Sequence, residues 1–256
     1  MEPGATRVSV DDDRGGLVVT VLGCSGSYPG PGQACSGYLV RSGGATIWLD
    51  AGPGTLANLQ RHVGIEDVDA IVLTHAHPDH WSDIEGFYVA CRYVLERSGI
   101  PVYAPAGLQG LLRIGPSTEP TLVWNDVAEG ATLTHGTMRL SFSRTDHPTE
   151  TLAIRVDADG RSLGYSADSG PAWSLEALGP GLHLALCEAT FLQDREGSIQ
   201  HMSARQAGAT ARAAGVERLL LTHLWPTVQP GAARAEAAGA FGRPVDLATE
   251  NETYPV

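Results

Sequence analysis

Residues 71–80 read Ile-Val-Leu-Thr-His-Ala-His-Pro-Asp-His, and no other stretch of the chain leaves so few folding options. Three aliphatic residues ahead of a polar turn mark a short buried strand. The chain then places His75, His77, Asp79 and His80 within six residues. Side chains two apart in an extended segment share a face, so His75 and His77 point the same way. Pro78 has no N–H and stops the strand ladder. Asp79 and His80 then fall on the turn into a helix and reach a second point nearby. A polar turn that happens to be rich in histidine is the bland alternative. Burying so many ionisable groups without a partner would be costly, so the segment reads as ligands for two adjacent metals. Imidazole and carboxylate donors suit two Zn ions, with Mn or Fe as lesser fits.

A chain of 256 residues allows one large or two small domains, and 43% apolar residues suffice for a real core. No apolar run approaches the roughly 20 residues of a membrane helix, so no membrane partner is expected. Residues 1–16 form a loose acidic leader without the apolar centre of a secretory signal. Cys24, Cys35, Cys91 and Cys187 make no CxxC pair and read as reduced thiols, which points to a cytoplasmic location. A net charge of −12 disfavours a long nucleic-acid footprint. A small anionic substrate stays compatible, because bound cations would set the local field.

Strands are expected at 17–22, 38–40, 46–49, 70–73 and 101–104, and then at 138–144, 151–156, 162–166, 182–187, 218–221 and 245–248. Ser42-Gly43-Gly44 and Asp159-Gly160 are hairpin signals. Between 23 and 37 lies a glycine- and proline-rich loop whose Ser25, Gly26 and Ser27 offer hydroxyls and N–H groups to an anion, or serve merely as a connector. Helical spacing covers 56–63 and 81–98, the latter striped with Ile84, Phe87, Tyr88, Cys91, Val94 and Leu95. Leu108, Leu111 and Leu112 suggest a short helix. Ser203 caps a helix to about 214, and an alanine-rich helix spans 232–240. Strands and helices mix in both halves, which suits packed sheets with helices outside in one α/β domain, 17–256.

Two metals need more than four protein ligands. His147, Asp168 and His223 each follow an apolar strand, and the two oxygens of Asp168 can bridge two ions. With these residues the chain resembles the metallo-β-lactamase superfamily, nearest its ribonuclease Z-like phosphodiesterase branch, over roughly Val18 to Thr249. The HxHxDH motif of that family matches His75, His77, Asp79 and His80. The resemblance implies a four-layer αββα sandwich, the metallo-β-lactamase fold. It also implies one zinc held by His75, His77 and His147, a second held by Asp79, His80 and His223, and Asp168 between them. Asp50 matches the family residue that supports the ligand turn. Cys187-Glu188-Ala189-Thr190 and His201-Met202-Ser203 match further ribonuclease Z segments, which implies that His201 gives a proton to the leaving oxygen and Glu188 orients it; an ordinary salt bridge is the plainer reading.

Departures from that family narrow the expectation. Only twenty residues separate His147 from Asp168, so the tRNA-gripping arm of ribonuclease Z has no room. Asp at the bridging position, where true β-lactamases carry Cys, argues against β-lactam hydrolysis, and no helical extension suits a glyoxalase-type thioester. The armless form resembles bacterial enzymes that hydrolyse cyclic nucleotides. The expected activity is therefore hydrolysis of 3′,5′-cyclic AMP to 5′-AMP by a metal-bridging hydroxide that Asp79 orients, with Trp225 either stacking on the base or capping the core. Ribonuclease or lactonase activity on the same site is the rival within enzymes. A metal-holding regulatory protein without turnover is the rival outside them, disfavoured because all seven ligand candidates and His201 are present. The family analogy also suggests a homodimer. His62, His135 and His183 have no cluster around them and read as structural.

Overall fold

A computed structural model describes residues 16–113 and 120–256; the acidic leader, apart from Gly16, lies outside the described residues. The first half builds β1 (Val18–Gly23), β2 (Gly37–Ser42), β3 (Ala45–Ala51), β4 (Ala70–Val72), β5 (Ile100–Ala104) and β6 (Leu122–Asp126). The second builds β7 (Thr132–His135), β8 (Met138–Arg144), β9 (Leu152–Ala158), β10 (Arg161–Tyr165), β11 (Leu184–Glu188), β12 (Arg218–Thr222), β13 (Asp246–Leu247) and β14 (Thr253–Pro255). They form two sheets, ordered β14-β1-β2-β3-β4-β5-β6 and β13-β12-β11-β10-β9-β8-β7. Four helices accompany them among the described residues: α1 (Thr55–Leu59), α2 (Ile84–Tyr93), α3 (Ala204–Ala213) and α4 (Pro230–Phe241).

The period-2 pattern of each strand sorts its side chains into layers. Tyr38, Val40, Ile47, Leu49 and Val72 meet Leu140, Ile154, Val156, Leu163 and Leu186 between the two sheets. The alternate residues Leu39, Trp48, Ile71 and Leu73 turn outward and pack under Leu59 of α1 and Ile84, Phe87 and Cys91 of α2. On the far side Ala185, Leu219 and Leu221 pack under Ala207 and Ala211 of α3 and Ala233, Ala237 and Phe241 of α4. The result is the expected αββα sandwich. Both predicted hairpin turns are present, Gly43-Gly44 and Asp159-Gly160, with all four residues at positive φ as a type I′ turn requires.

Three expectations need correction. The helix expected over 81–98 is confined to Ile84–Tyr93. Val94 and Leu95 both hydrogen-bond back to the Ala90 carbonyl, Glu96 takes φ +50°, and Val94 is 75% exposed rather than part of the buried stripe. The helix expected over 56–63 is a shorter turn, α1. Strands β6, β7 and β14 were not expected. Thr132–His135 and Leu122–Asp126 carry polar or half-exposed residues, as the edges of a sheet do, and β14 becomes a strand only by pairing with β1 across the chain.

Strand direction places the site. β3, β4, β5 and β6 run parallel, as do β10, β11, β12 and β13. β8 shares the direction of β10 because each is antiparallel to β9. Asp50, His75, His147, Asp168, Glu188 and His223 therefore emerge at the same edge of the sandwich, each at or just beyond the C-terminal end of a strand.

Candidate metal centre

The ligand decapeptide folds as its residues dictate. β4 ends at Val72, and Pro78–His80 form a single 3-10 turn that returns Asp79 and His80 toward His75. Asp50 fixes this turn. Its Oδ1 accepts the Thr74 N–H at 2.8 Å, and its Oδ2 accepts the Thr74 hydroxyl at 2.9 Å, the Tyr165 hydroxyl at 2.9 Å and His80 Nδ1 at 2.8 Å. Gly52 lets the turn come close, since a Cβ there would run into the Asp79 carbonyl oxygen.

Three groups of donors result among the described residues; two share Asp168, and the third joins Glu188 and His201 to His223. The ligand atoms of His75, His77, His147 and Asp168 all lie within 4.8 Å of one another, as do those of Asp79, His80, Asp168 and His223. Asp168 belongs to both. Its Oδ2 lies 3.5 Å from His75 Nε2 and 3.9 Å from His147 Nε2, while its Oδ1 lies 3.2 Å from His80 Nε2 and 3.3 Å from His223 Nε2. In the first group His77 Nδ1 is 3.1 Å from both His75 Nε2 and His147 Nε2; in the second, His223 Nε2 is 3.3 Å from Asp79 Oδ2. Zinc–nitrogen bonds of 2.0–2.1 Å in a tetrahedron set ligand–ligand edges of about 3.3 Å, so the spacing suits a shared cation.

Second contacts choose which nitrogen faces inward. Thr74 Oγ1 gives its proton to Asp50 and so accepts from His75 Nδ1 at 3.0 Å. His80 Nδ1 donates to Asp50, and His147 Nδ1 donates to the Gln200 carbonyl at 3.3 Å. Thr190 Oγ1 gives its proton to Glu188 at 2.5 Å and accepts from His223 Nδ1 at 2.9 Å. Each of these four rings thus turns Nε2 inward as the nitrogen available to a metal. His77 presents Nδ1 instead.

The electrostatics carry the same demand. Burial opposes a charge on Asp168, but the His223, His80 and His75 imidazoles hold it well below the usual carboxylate range. Asp79 is likewise lowered against its burial, chiefly by His80 and His223. Burial also disfavours a charge on His80, yet Asp168, Asp79 and Asp50 outweigh it and raise that imidazole well above its ordinary value. His75 is lowered by burial, and burial takes His147 down to about 3. His80 Nε2 and Asp168 Oδ1 are buried without a hydrogen-bond partner. Orphaned atoms of this kind, a buried carboxylate and converging imidazole nitrogens fit a cation.

Glu188 and His201 stand beside this centre. Glu188 is fully buried and accepts from the Ser169 N–H at 2.5 Å, the Met202 N–H at 3.2 Å, the Thr190 hydroxyl and His201 Nδ1 at 3.0 Å. The His201 ring stacks on His223 with centroids 5.4 Å apart and meets His147 edge-on at 5.0 Å. Burial works against its charge, but the Glu188 carboxylate prevails and raises His201 to about 9. His201 is thus an imidazole that favours its charged form, with its Nδ1 anchored on Glu188.

Every sequence-predicted site residue thus reaches one place. Trp225 is half-buried at the rim. Its indole N–H donates to Ser27 Oγ at 2.9 Å, and its ring lies 5.9 Å from Phe191 and under the Arg195 guanidinium at 5.3 Å. Sequence reasoning gave no role to Tyr165, Thr190 or Gln200, all of which orient ligands. Thr190 follows Glu188 at the spacing of a shared strand face, a usable signal; Tyr165 and Gln200 carried none. His62 bonds Asn251 and His183 bonds the Ser162 N–H, both outside the donor groups.

The family described as "Beta-lactamase superfamily domain" matches residues 45–224. The chain belongs to the metallo-β-lactamase superfamily. Its relatives include the "Probable metallo-hydrolase YhfI" of Bacillus subtilis, 32% identical over 91% of this chain and 97% of that protein. An uncharacterized protein of Mycobacterium tuberculosis is 34% identical over 93% and 92% of the two chains. A ribonuclease Z of Mycolicibacterium gilvum is 30% identical over 90% and 93%. The crystal structure of YhfI superposes with a TM-score of 0.86 at 29% identity, covering 95% of this chain and all of that one. This member of the superfamily is accordingly a hydrolase with a His/Asp cluster able to bind metal. No helix among its described residues is long and apolar enough to cross a membrane.

Proposed function

We propose that the protein is a dinuclear metal-dependent phosphodiesterase acting on small phosphodiesters, with 3′,5′-cyclic AMP as substrate and 5′-AMP as product. The observation that carries this reading is the division of Asp168, with Oδ2 facing His75 and His147 and Oδ1 facing His80 and His223. Such a carboxylate fits between two cations. The residues that would hold one are His75, His77 and His147, and those for the other Asp79, His80 and His223. When bound, the ions would neutralise phosphoryl oxygens and bring the pKa of a water to about 7. Zinc suits the donors, with manganese and iron as alternatives.

The chain's own groups complete the reaction. As water oxygen bonds to phosphorus and the P–O3′ bond breaks, His201 delivers its proton to the departing oxygen. The Glu188 carboxylate holds Nδ1, so Nε2 is the atom that gives up the proton. Asp79, on the ligand turn, accepts from the incoming water. A small substrate is favoured over a long RNA by the hairpin of β9 and β10, which occupies the interval between His147 and Asp168, and by the acidic surface. Ribonuclease activity is the second reading, favoured by the 30% identity to a ribonuclease Z.

Zinc- or manganese-loaded protein assayed against bis-p-nitrophenyl phosphate, cyclic AMP, cyclic GMP and a precursor tRNA tests both. Turnover of a cyclic nucleotide well above the RNA supports the proposal. Metal-loaded protein inert toward every phosphodiester would end it.

A further inference from the structure

The turn Ser25–Ser27 is pressed against the metal-binding edge. Gly26 N–H donates to the Leu224 carbonyl at 2.8 Å, and a Cβ on Gly26 would sit 2.9 Å from His223 Nδ1 and collide with the His223 carbonyl oxygen. Only glycine allows that approach. The next residue, Ser27, is exposed and holds φ +62°, an uncommon value for a residue with a side chain. Its N–H points at His223 Nε2, 3.4 Å away. The same Nε2 lies 3.3 Å from Asp79 Oδ2 and 3.3 Å from Asp168 Oδ1.

That nitrogen has a single lone pair, because its ring partner Nδ1 donates to Thr190. Once the lone pair goes to a cation, the Ser27 N–H has no acceptor on the protein. It is left as a donor on an exposed residue beside the second donor group, within reach of an oxyanion drawn to the cation. The chain contains no lysine, so an ammonium cannot take this place.

Resting on the phosphodiesterase reading, we propose that the Ser27 backbone N–H is an oxyanion donor that binds a non-bridging phosphoryl oxygen of the substrate. Trp225 is then a positioning residue. Its indole N–H donates to Ser27 Oγ at 2.9 Å, and its backbone N–H donates to the Thr190 carbonyl at 3.1 Å, so the turn is tied to the segment just beyond Glu188. The arrangement also explains why Trp225 is fastened down rather than free at the rim.

The test uses the full-length, zinc-loaded protein labelled with nitrogen-15, and inorganic phosphate as the probe. Titration should move the Ser27 amide proton downfield and slow its exchange with solvent. Replacing the Ser27 amide by an ester, which deletes only this N–H, should weaken phosphate binding about tenfold and lower kcat on bis-p-nitrophenyl phosphate by roughly 10²-fold, with zinc content unchanged. Trp225→Phe, which keeps a ring and loses the donor, should speed Ser27 amide exchange and weaken phosphate binding in part. An unmoved Ser27 resonance at saturating phosphate overturns the donor role, even if the ester variant cannot be made. Hydrolysis without the shift rejects this inference and leaves the phosphodiesterase reading intact. The shift without hydrolysis of any phosphodiester supports the donor and rejects that reading.

Discussion

Asp50→Asn should loosen the metal centre without touching a ligand. The carboxylate accepts four hydrogen bonds, one at Oδ1 and three at Oδ2, and is fully buried. An amide oxygen placed at the Oδ2 position keeps the bonds from Thr74 Oγ1, Tyr165 and His80. Its amide nitrogen then faces the Thr74 N–H, donor against donor. One buried donor left unsatisfied costs about 1–3 kcal/mol, which urea unfolding of the metal-free protein should register. The larger consequence falls on the metals, because His80 loses the negative partner that makes its Nε2 a good ligand and the backbone of Thr74, next to His75, loses its acceptor. Loss of such an outer contact costs 10–100-fold in metal affinity, or about 1.4–2.7 kcal/mol. Competition with a coloured zinc chelator measures it directly. An Asp50→Asn protein that grips zinc as tightly as the parent would refute the claim that this carboxylate organises the ligand turn.

Asp168→Ala should reduce bound zinc from two ions toward one or none by atomic absorption and lower phosphodiester turnover by more than about 10²-fold; two tightly held ions would sink the bridging role. His201→Ala should slow cyclic AMP by about 10²–10⁴-fold but slow bis-p-nitrophenyl phosphate far less, since nitrophenolate departs without a proton, and equal losses on both would exclude the acid role. Stripping the metals should lower the thermal midpoint. Free zinc at 100 times its Kd stabilises by about 2.7 kcal/mol, which for a chain of this size is about 5–10 °C, and an unchanged midpoint would mean that the fold does not bind zinc. In the metal-free protein the raised His201 favours the folded state fully below its unfolded value near 6.5 and loses that benefit as pH climbs through about 9. Parent and His201→Gln should therefore converge in urea stability above about pH 9, and a constant gap across that window would contradict the ion pair with Glu188.

Much of this protein is decided by short stretches of sequence. The decapeptide 71–80 produces a strand, a proline stop and a tight turn from steric and hydrogen-bonding rules that act within a few residues. The hairpins at Gly43-Gly44 and Asp159-Gly160 and the Ser203 cap, whose hydroxyl accepts the Gln206 N–H, follow equally local rules. Packed sheets with helices outside were legible from the mixture of strands and helices, and the αββα layering came from the resemblance to the superfamily; in the structure, strand alternation divides residues such as Leu39 from Tyr38 and Val40.

Contacts made by distant segments were not legible. β14 and the polar edge strands β6 and β7 exist because partners elsewhere satisfy their backbones, and the C-terminal turn of the expected 81–98 helix is lost although its apolar spacing continues. Twenty residues separate His147 from Asp168 and 54 separate Asp168 from His223, and sequence marks them only as candidates; common strand direction is what carries them to a single edge. Which ring nitrogen each histidine turns inward was decided by Thr74, Asp50, Thr190 and the Gln200 carbonyl, and the aim of the Ser27 N–H by the close passage of Gly26 over His223. Donor chemistry is a property of residue type, whereas the direction of a lone pair depends on neighbours that only folding assembles.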